Sequence, residues 1–124
     1  MQKASILLLN ENERQLSSIS GFLSKEDYSV TTMSNRSDFQ QIVLKTKTDL
    51  IIIAIDSTLG RGLEVFQDLR KNRVLEDIFI MMSSQKHEDY IRIIALDSGA
   101  DDFWVQPIAQ RVILKRILAL LKRK

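Results

Sequence analysis

Apolar runs and amphipathic stretches take turns along this chain. Positions 4–9 form an apolar run after a short polar start, the pattern of a strand buried on both faces. Positions 12–25 carry Leu16, Ile19, Phe22 and Leu23 at helical spacing. Positions 28–33 are β-branched and alternating, which predicts a second strand. Ser34 or Asn35 can cap a helix running to about Thr46, with Phe39, Ile42 and Val43 inward. Positions 49–55 predict a third, buried strand. In a helix over 63–72, Leu63, Phe66 and Leu69 or Arg70 fall on successive turns. Positions 78–82 predict a fourth strand. A helix over 87–98 turns Ile91, Ile94 and Ala95 inward and is closed by Gly99. A short strand over 102–105 and a helix over 108–121 complete the chain.

A strand followed by a helix, five times over, argues an α/β domain. The expected architecture is a (βα)5 doubly wound, five-stranded parallel sheet with helices on both faces and right-handed crossovers. In such sheets the site lies outside the carboxyl ends of the strands, at the topological switch point. The positions to read for chemistry are therefore Asn10, Glu11, 54–56, 83–86 and Gln106.

Composition narrows the options. The 124 residues, 44% of them hydrophobic, suffice for one domain over 1–124 with one substantial core. There is no cysteine, which excludes disulfides, thiolate nucleophiles and cysteine-based zinc sites. His87 is the one histidine and makes no metal cluster by itself. No apolar run reaches membrane-spanning length and no signal-peptide pattern opens the chain, so a cytoplasmic protein without membrane contact is expected. The net charge of +2 adds little, but positions 106–124 hold six cations and no acid. Terminal cations suit the end of a helix dipole. No aromatic residue interleaves them, so direct nucleic-acid contact is not expected.

Several short segments resemble the response-regulator receiver domain, the CheY-like, flavodoxin-like fold, and the resemblance spans the whole chain. Asp49-Leu50-Ile51-Ile52-Ile53 is similar to the family's third strand, and Gly62-Leu63-Glu64-Val65 to the start of its third helix. Leu75-Glu76-Asp77-Ile78 resembles the entry to its fourth strand. Ser98-Gly99-Ala100-Asp101-Asp102-Phe103 resembles the run before its essential lysine, with Pro107 after that position. The resemblance implies the strand order 2-1-3-4-5 and a cis bond between Gln106 and Pro107.

The site departs from the family pattern. The two acids that hold Mg²⁺ after the first strand correspond to Asn10 and Glu11, and the phosphate-accepting aspartate falls on Ala54. The hydroxyl after the fourth strand corresponds to Ser84, the lysine to Gln106 and the switch aromatic to Phe103. Phosphoryl transfer to a carboxylate needs a nucleophilic oxygen, a divalent cation and a cationic side chain. Ala54 removes the nucleophile, Asn10 removes a charge, and Gln106 donates a hydrogen bond without charge. Charges of both signs have gone together. The implied function is a degenerate, or pseudo-, receiver of two-component signal transduction. It would be a binding module rather than an enzyme, with no metal and no cofactor, working by phosphorylation-independent protein contact.

Asp56 is the rival. It shares strand parity with Ala54, and with Glu11 and Mg²⁺ it would make a phosphorylatable receiver. Against this, a two-residue advance moves the carboxylate by about 6–7 Å. The gap-free reading also matches Asp49 and Gly62 on either side. Asp56 and Lys86 are instead expected to line the pocket mouth, and Glu11 and Asp56 are the candidates for holding any cation. A flavodoxin-like cofactor site is disfavoured, because the loop over 10–13 is acidic and lacks phosphate-cradling residues.

Phe103, lacking a hydroxyl, should turn inward, with Trp104 on the opposite face under the last helix. That helix carries too many apolar residues for one buried stripe. The resemblance implies that the fourth helix, fifth strand and fifth helix form a face for a protein partner or a second copy. Its expected residues are Arg111, Leu114, Lys115 and Leu118, and Arg116 is expected with them as a steering cation.

Overall fold

Every second residue of the inner strands is handed to one helical layer and the rest to the other. The computed structural model describes residues 3–34, 39–55, 61–85 and 89–123. The elements run β1 (Ser5–Leu9), α1 (Glu13–Lys25), β2 (Ser29–Met33), α2 (Phe39–Lys45), β3 (Leu50–Ile55), α3 (Arg61–Lys71), β4 (Phe79–Ser84), α4 (Asp89–Asp97), β5 (Asp102–Val105) and α5 (Gln110–Leu121). All strands are parallel, in the order β2-β1-β3-β4-β5, as expected. The chain reverses direction across the sheet between β1 and β3, which puts the switch point at the ends of those strands.

Two cores result. Leu7, Leu9, Ile51, Ile53, Ile80, Met82 and Phe103 pack against α2, α3 and α4. Ile6, Leu8, Leu50, Ile52, Met81 and Trp104 pack against α1 and α5. Period-two alternation thus divides strands that read in sequence as unbroken apolar runs.

Two element ends and one burial stand out against the sequence reading. β4 runs on through Ser83 and Ser84 instead of ending at Met82. Both serines are buried between β3 and β5, whose backbones pair with them. α5 is helical from Gln110 rather than 108, after a cis bond between Gln106 and Pro107. On α4, Ala95 is buried and Ile91 packs against the core, but Ile94 is 39% exposed rather than inward. The stripe is narrow because Ile91 and Ala95, four residues apart, fill it. The candidate cap Asn35 and the side chain of Leu63 lie outside the described residues. No helix among the described residues is long and apolar enough to cross a membrane.

One polar cluster ties the lower half together. Arg70 on α3 donates to Asp101 at 2.8 Å, to the Ile78 carbonyl at 3.0 Å and to the Gly99 carbonyl at 3.2 Å. Asp101 also accepts the Ile80 amide at 2.8 Å. Gly99, at φ +107, makes the turn that brings its carbonyl there, a conformation costly for other residues. Asp101→Ala is expected to lower stability by about 1–3 kcal/mol in urea unfolding, because it strands a backbone amide and a half-buried guanidinium. A change below about 0.5 kcal/mol would contradict that role.

Candidate functional site

The carboxyl ends of β1, β3, β4 and β5 converge on one cluster. Asn10 follows the last residue of β1, and its amide still donates to the Met33 carbonyl at 3.1 Å. Its side chain is buried and engaged at both ends. Oδ1 accepts the Asn12 amide at 2.9 Å, and Nδ2 donates to Gln15 Oε1 at 3.1 Å. Asn12 in turn caps α1 by accepting the Gln15 amide at 3.1 Å. The loop between β1 and α1 is closed upon itself, and Glu11 is exposed on it.

Ala54 is half-buried on β3 and stands in register with Ser83 on β4. By strand parity Ala54 follows Ile52, Ser83 follows Met81 and Gln106 follows Trp104, all on the α1/α5 side. There Gln106 Nε2 donates to Ser83 Oγ at 3.2 Å. Its backbone amide donates to the Ser84 carbonyl at 2.7 Å. The hydroxyl that meets Gln106 is therefore Ser83, not Ser84. Ser84 is buried one pleat on, with parity toward the α3/α4 side. Ser83 fell within the stretch 83–86 marked for chemistry, and continuing the β4 alternation from Met81 singles it out.

Asn10, Ser83 and Gln106 offer hydrogen bonds and Ala54 only a methyl group, so the four supply neither a nucleophile of carboxylate type nor a charge. Of the site positions described, Glu11 alone is ionisable. Among the described residues no three acids or histidines gather as a metal group. The family's divalent cation does not fit the described donors. Asn10 Oδ1 is already committed to Asn12, Ala54 has no oxygen, and Glu11 is a single exposed carboxylate. Asp56 and Lys86 lie outside the described residues.

Phe103 is turned inward and buried, with the Arg92 guanidinium 5.6 Å from its ring centre. Trp104 is buried on the other side, against Ile113 and Ile117. The face expected on α5 divides in two. Arg111 and Lys115 are exposed, but Leu114 packs half-buried against the α1-side core. Leu118 is 43% exposed, yet it borders Lys3, Tyr28 and Asp49 beneath the amino ends of the strands. The flank toward β5 is marked instead by Arg116, which donates to Asp102 at 3.2 Å and to the Phe103 carbonyl at 3.1 Å. Arg116 thus clamps α5 to β5 rather than standing at an open rim. Val112, one turn earlier, shares that flank and is exposed. Across β5, α4 exposes Ile93, Ile94 and Leu96.

Residues 6–118 match the family model described as "Response regulator receiver domain". The chain is 29% identical over 119 residues to the transcriptional regulatory protein GltR of Pseudomonas aeruginosa, covering 96% of this chain and 49% of that protein. It is 27% identical over 118 residues to the alkaline phosphatase synthesis transcriptional regulatory protein PhoP of Bacillus subtilis, covering 95% and 48%. The chain spans about half the length of the curated relatives it matches. Among solved structures, a two-component response regulator from Clostridium difficile superposes with a TM-score of 0.87 at 23% identity, covering 98% of both chains. A CheY-like receiver domain protein from Methanospirillum hungatei gives 0.86 at 20% identity, covering 97% and 94%. At these identities the superpositions speak to the fold.

The Gln106–Ser83 bond is open to a double-mutant cycle. Ser83→Ala and Gln106→Ala, singly and together, should reveal a coupling of about 0.5–1.5 kcal/mol in urea unfolding. Additive single effects would show that the two side chains do not depend on each other.

Proposed function

The chain belongs to the response-regulator receiver family, and we propose that it is a degenerate member that signals by protein contact without aspartyl phosphorylation. The observation that carries this reading is Ala54 at the carboxyl end of β3, in register with the Ser83 that Gln106 engages. The acceptor, one metal-binding acid and the cationic partner of an active receiver are replaced together by neutral groups. Asn10 bonds Asn12 and Gln15, and Gln106 bonds Ser83. In this reading the protein is a cytoplasmic binding module of two-component signalling, not an enzyme, and needs no cofactor.

The relatives GltR and PhoP are named as transcriptional regulators. By analogy this chain would supply the receiver half of such a regulator and itself make no contact with nucleic acid. Its contacts would run through α4, β5 and α5, toward a protein partner or a second copy. Exposed Ile93, Leu96 and Val112 support this face as apolar anchors, with Arg111 and Lys115 as charges at its edge. Ile93→Glu or Val112→Glu should weaken association in sedimentation while leaving the melting temperature nearly unchanged. A large loss of stability would make them ordinary core positions.

A second reading rests on Asp56, which directly follows the last residue of β3. It makes Asp56 the phosphate acceptor, with Glu11 and Mg²⁺. Incubation with acetyl phosphate and Mg²⁺ followed by intact-mass spectrometry separates the two. The expected outcome is no added phosphoryl group. A stable gain of one phosphoryl, lost in Asp56→Asn, would replace the first reading with the second.

A further inference from the structure

β5 is an edge of the sheet, with β4 as its neighbour. In a parallel pair, alternate residues of a strand turn their amide and carbonyl to the neighbour, and the residues between turn theirs away. Gln106 donates its amide to the Ser84 carbonyl, so Trp104 and Gln106 face β4. Phe103 and Val105 therefore face the open edge. Such an edge is a template for strand pairing with another chain unless something blunts it.

An ion pair blunts it here. Asp102 Oδ1 accepts the Phe103 amide at 2.7 Å, and Arg116 Nη1 donates to the Phe103 carbonyl at 3.1 Å. The same nitrogen and the same oxygen meet at 3.2 Å. Carboxylate, peptide and guanidinium thus close a ring over the outward side of Phe103. Arg92 covers its aromatic ring, and the residue is buried although its strand is at the edge. Both partners of the ion pair are partly exposed, so the charge interaction itself contributes little to the fold. Its distinguishing feature is that it occupies both main-chain groups of an outward-facing residue. Exposed aliphatic residues flank the edge, Leu96 one turn after Arg92 and Val112 one turn before Arg116.

We propose that the Asp102–Arg116 pair is a clip that holds β5 closed against a second copy of this chain, and that releasing it makes the edge a dimer interface. The edge is self-complementary. In an antiparallel pair about a two-fold axis at Trp104, Phe103 of one copy exchanges amide and carbonyl bonds with Val105 of the other, and symmetry repeats the exchange. Leu96 and Val112 of each copy then border the joined strands. The inference rests on the edge and its clip. It holds under either reading of the phosphate chemistry, and it needs no contact between helix faces.

Sedimentation equilibrium tests it. Arg116→Ala and Asp102→Ala change the net charge in opposite directions, yet each opens the clip. Each should tighten self-association by about ten-fold over the parent, the gain expected from one or two recovered main-chain hydrogen bonds. Shifts of opposite sign would show charge repulsion at work, and an unchanged constant in both would show an edge that does not pair. Either result overturns the proposal. Val105→Pro, added to Arg116→Ala, removes an amide that faces the edge, a place where strands tolerate proline. It should return association to the parent's level. A folded double variant that still associates as tightly as Arg116→Ala would assign the pairing to the helix faces and overturn the proposal. Should the proline unfold the chain, amide hydrogen exchange in Arg116→Ala decides. Exchange at Val105 should slow as the concentration is raised through the dimerisation range, and an unchanged rate overturns the proposal.

Discussion

A parallel sheet covered by helices on both faces must hide the side chains of its inner strands, and the backbone pleat decides where each one goes. β1, β3 and β4 are buried on both sides, so a residue's parity assigns it to the α2/α3/α4 core or to the α1/α5 core. The rule does not stop where the apolar residues stop. It carries Ala54, Ser83 and Gln106 to the same side as Ile52, Met81 and Trp104. A register shift of one residue would exchange the contents of both cores. The polar cluster at the strand ends is the continuation of the α1/α5 core by other residue types.

The elements were readable from the sequence because burial on two faces demands long apolar runs, and amphipathic helices demand a stripe. Asp49 to Ile55 has no plausible home but a central strand. Strand ends were harder. Ser83 and Ser84 look like a turn, and only their pairing with Ala54, Ile55, Trp104 and Val105 makes them strand. The resemblance put the hydroxyl after the fourth strand at Ser84, whereas strand parity puts Ser83 on the side of Gln106. The outward turn of Ile94 was not visible, since a helical repeat fixes spacing but not how wide a stripe the sheet accepts. The cavity between α1 and α5 was also hidden, because its lining comes from two stretches far apart in sequence, 14–22 and 104–113, that meet only through the fold.

Within the reading of a degenerate receiver, the neutral replacements make sense as a set. A lysine beside Ala54 would be a cation without its anion in a partly buried place, a costly arrangement. An aspartate at position 10 would lack the metal and cation that normally balance it. Asn10 and Gln106 keep hydrogen bonding and discard charge, and each finds a neutral partner, in Gln15 and Ser83. No single substitution of this kind is comfortable by itself. Together they turn an electrostatic site into an ordinary polar one.

In the reading of a degenerate receiver, something other than phosphate must distinguish two states, because a ligand shifts an equilibrium only by its difference in affinity between them. The switch aromatic offers little here. Phe103 is buried under Arg92, and its carbonyl is held by Arg116. Those contacts join α4, β5 and α5 into a unit with few loose parts. The other side of β5 is different. There Trp104 has an unpaired donor, the helices α1 and α5 leave a cavity, and Gln106 reaches from that cavity to Ser83. On that side the polar cluster at the strand ends continues through Gln106 into the lining between the two helices, and Gln106 immediately precedes the cis-proline turn that leads into α5.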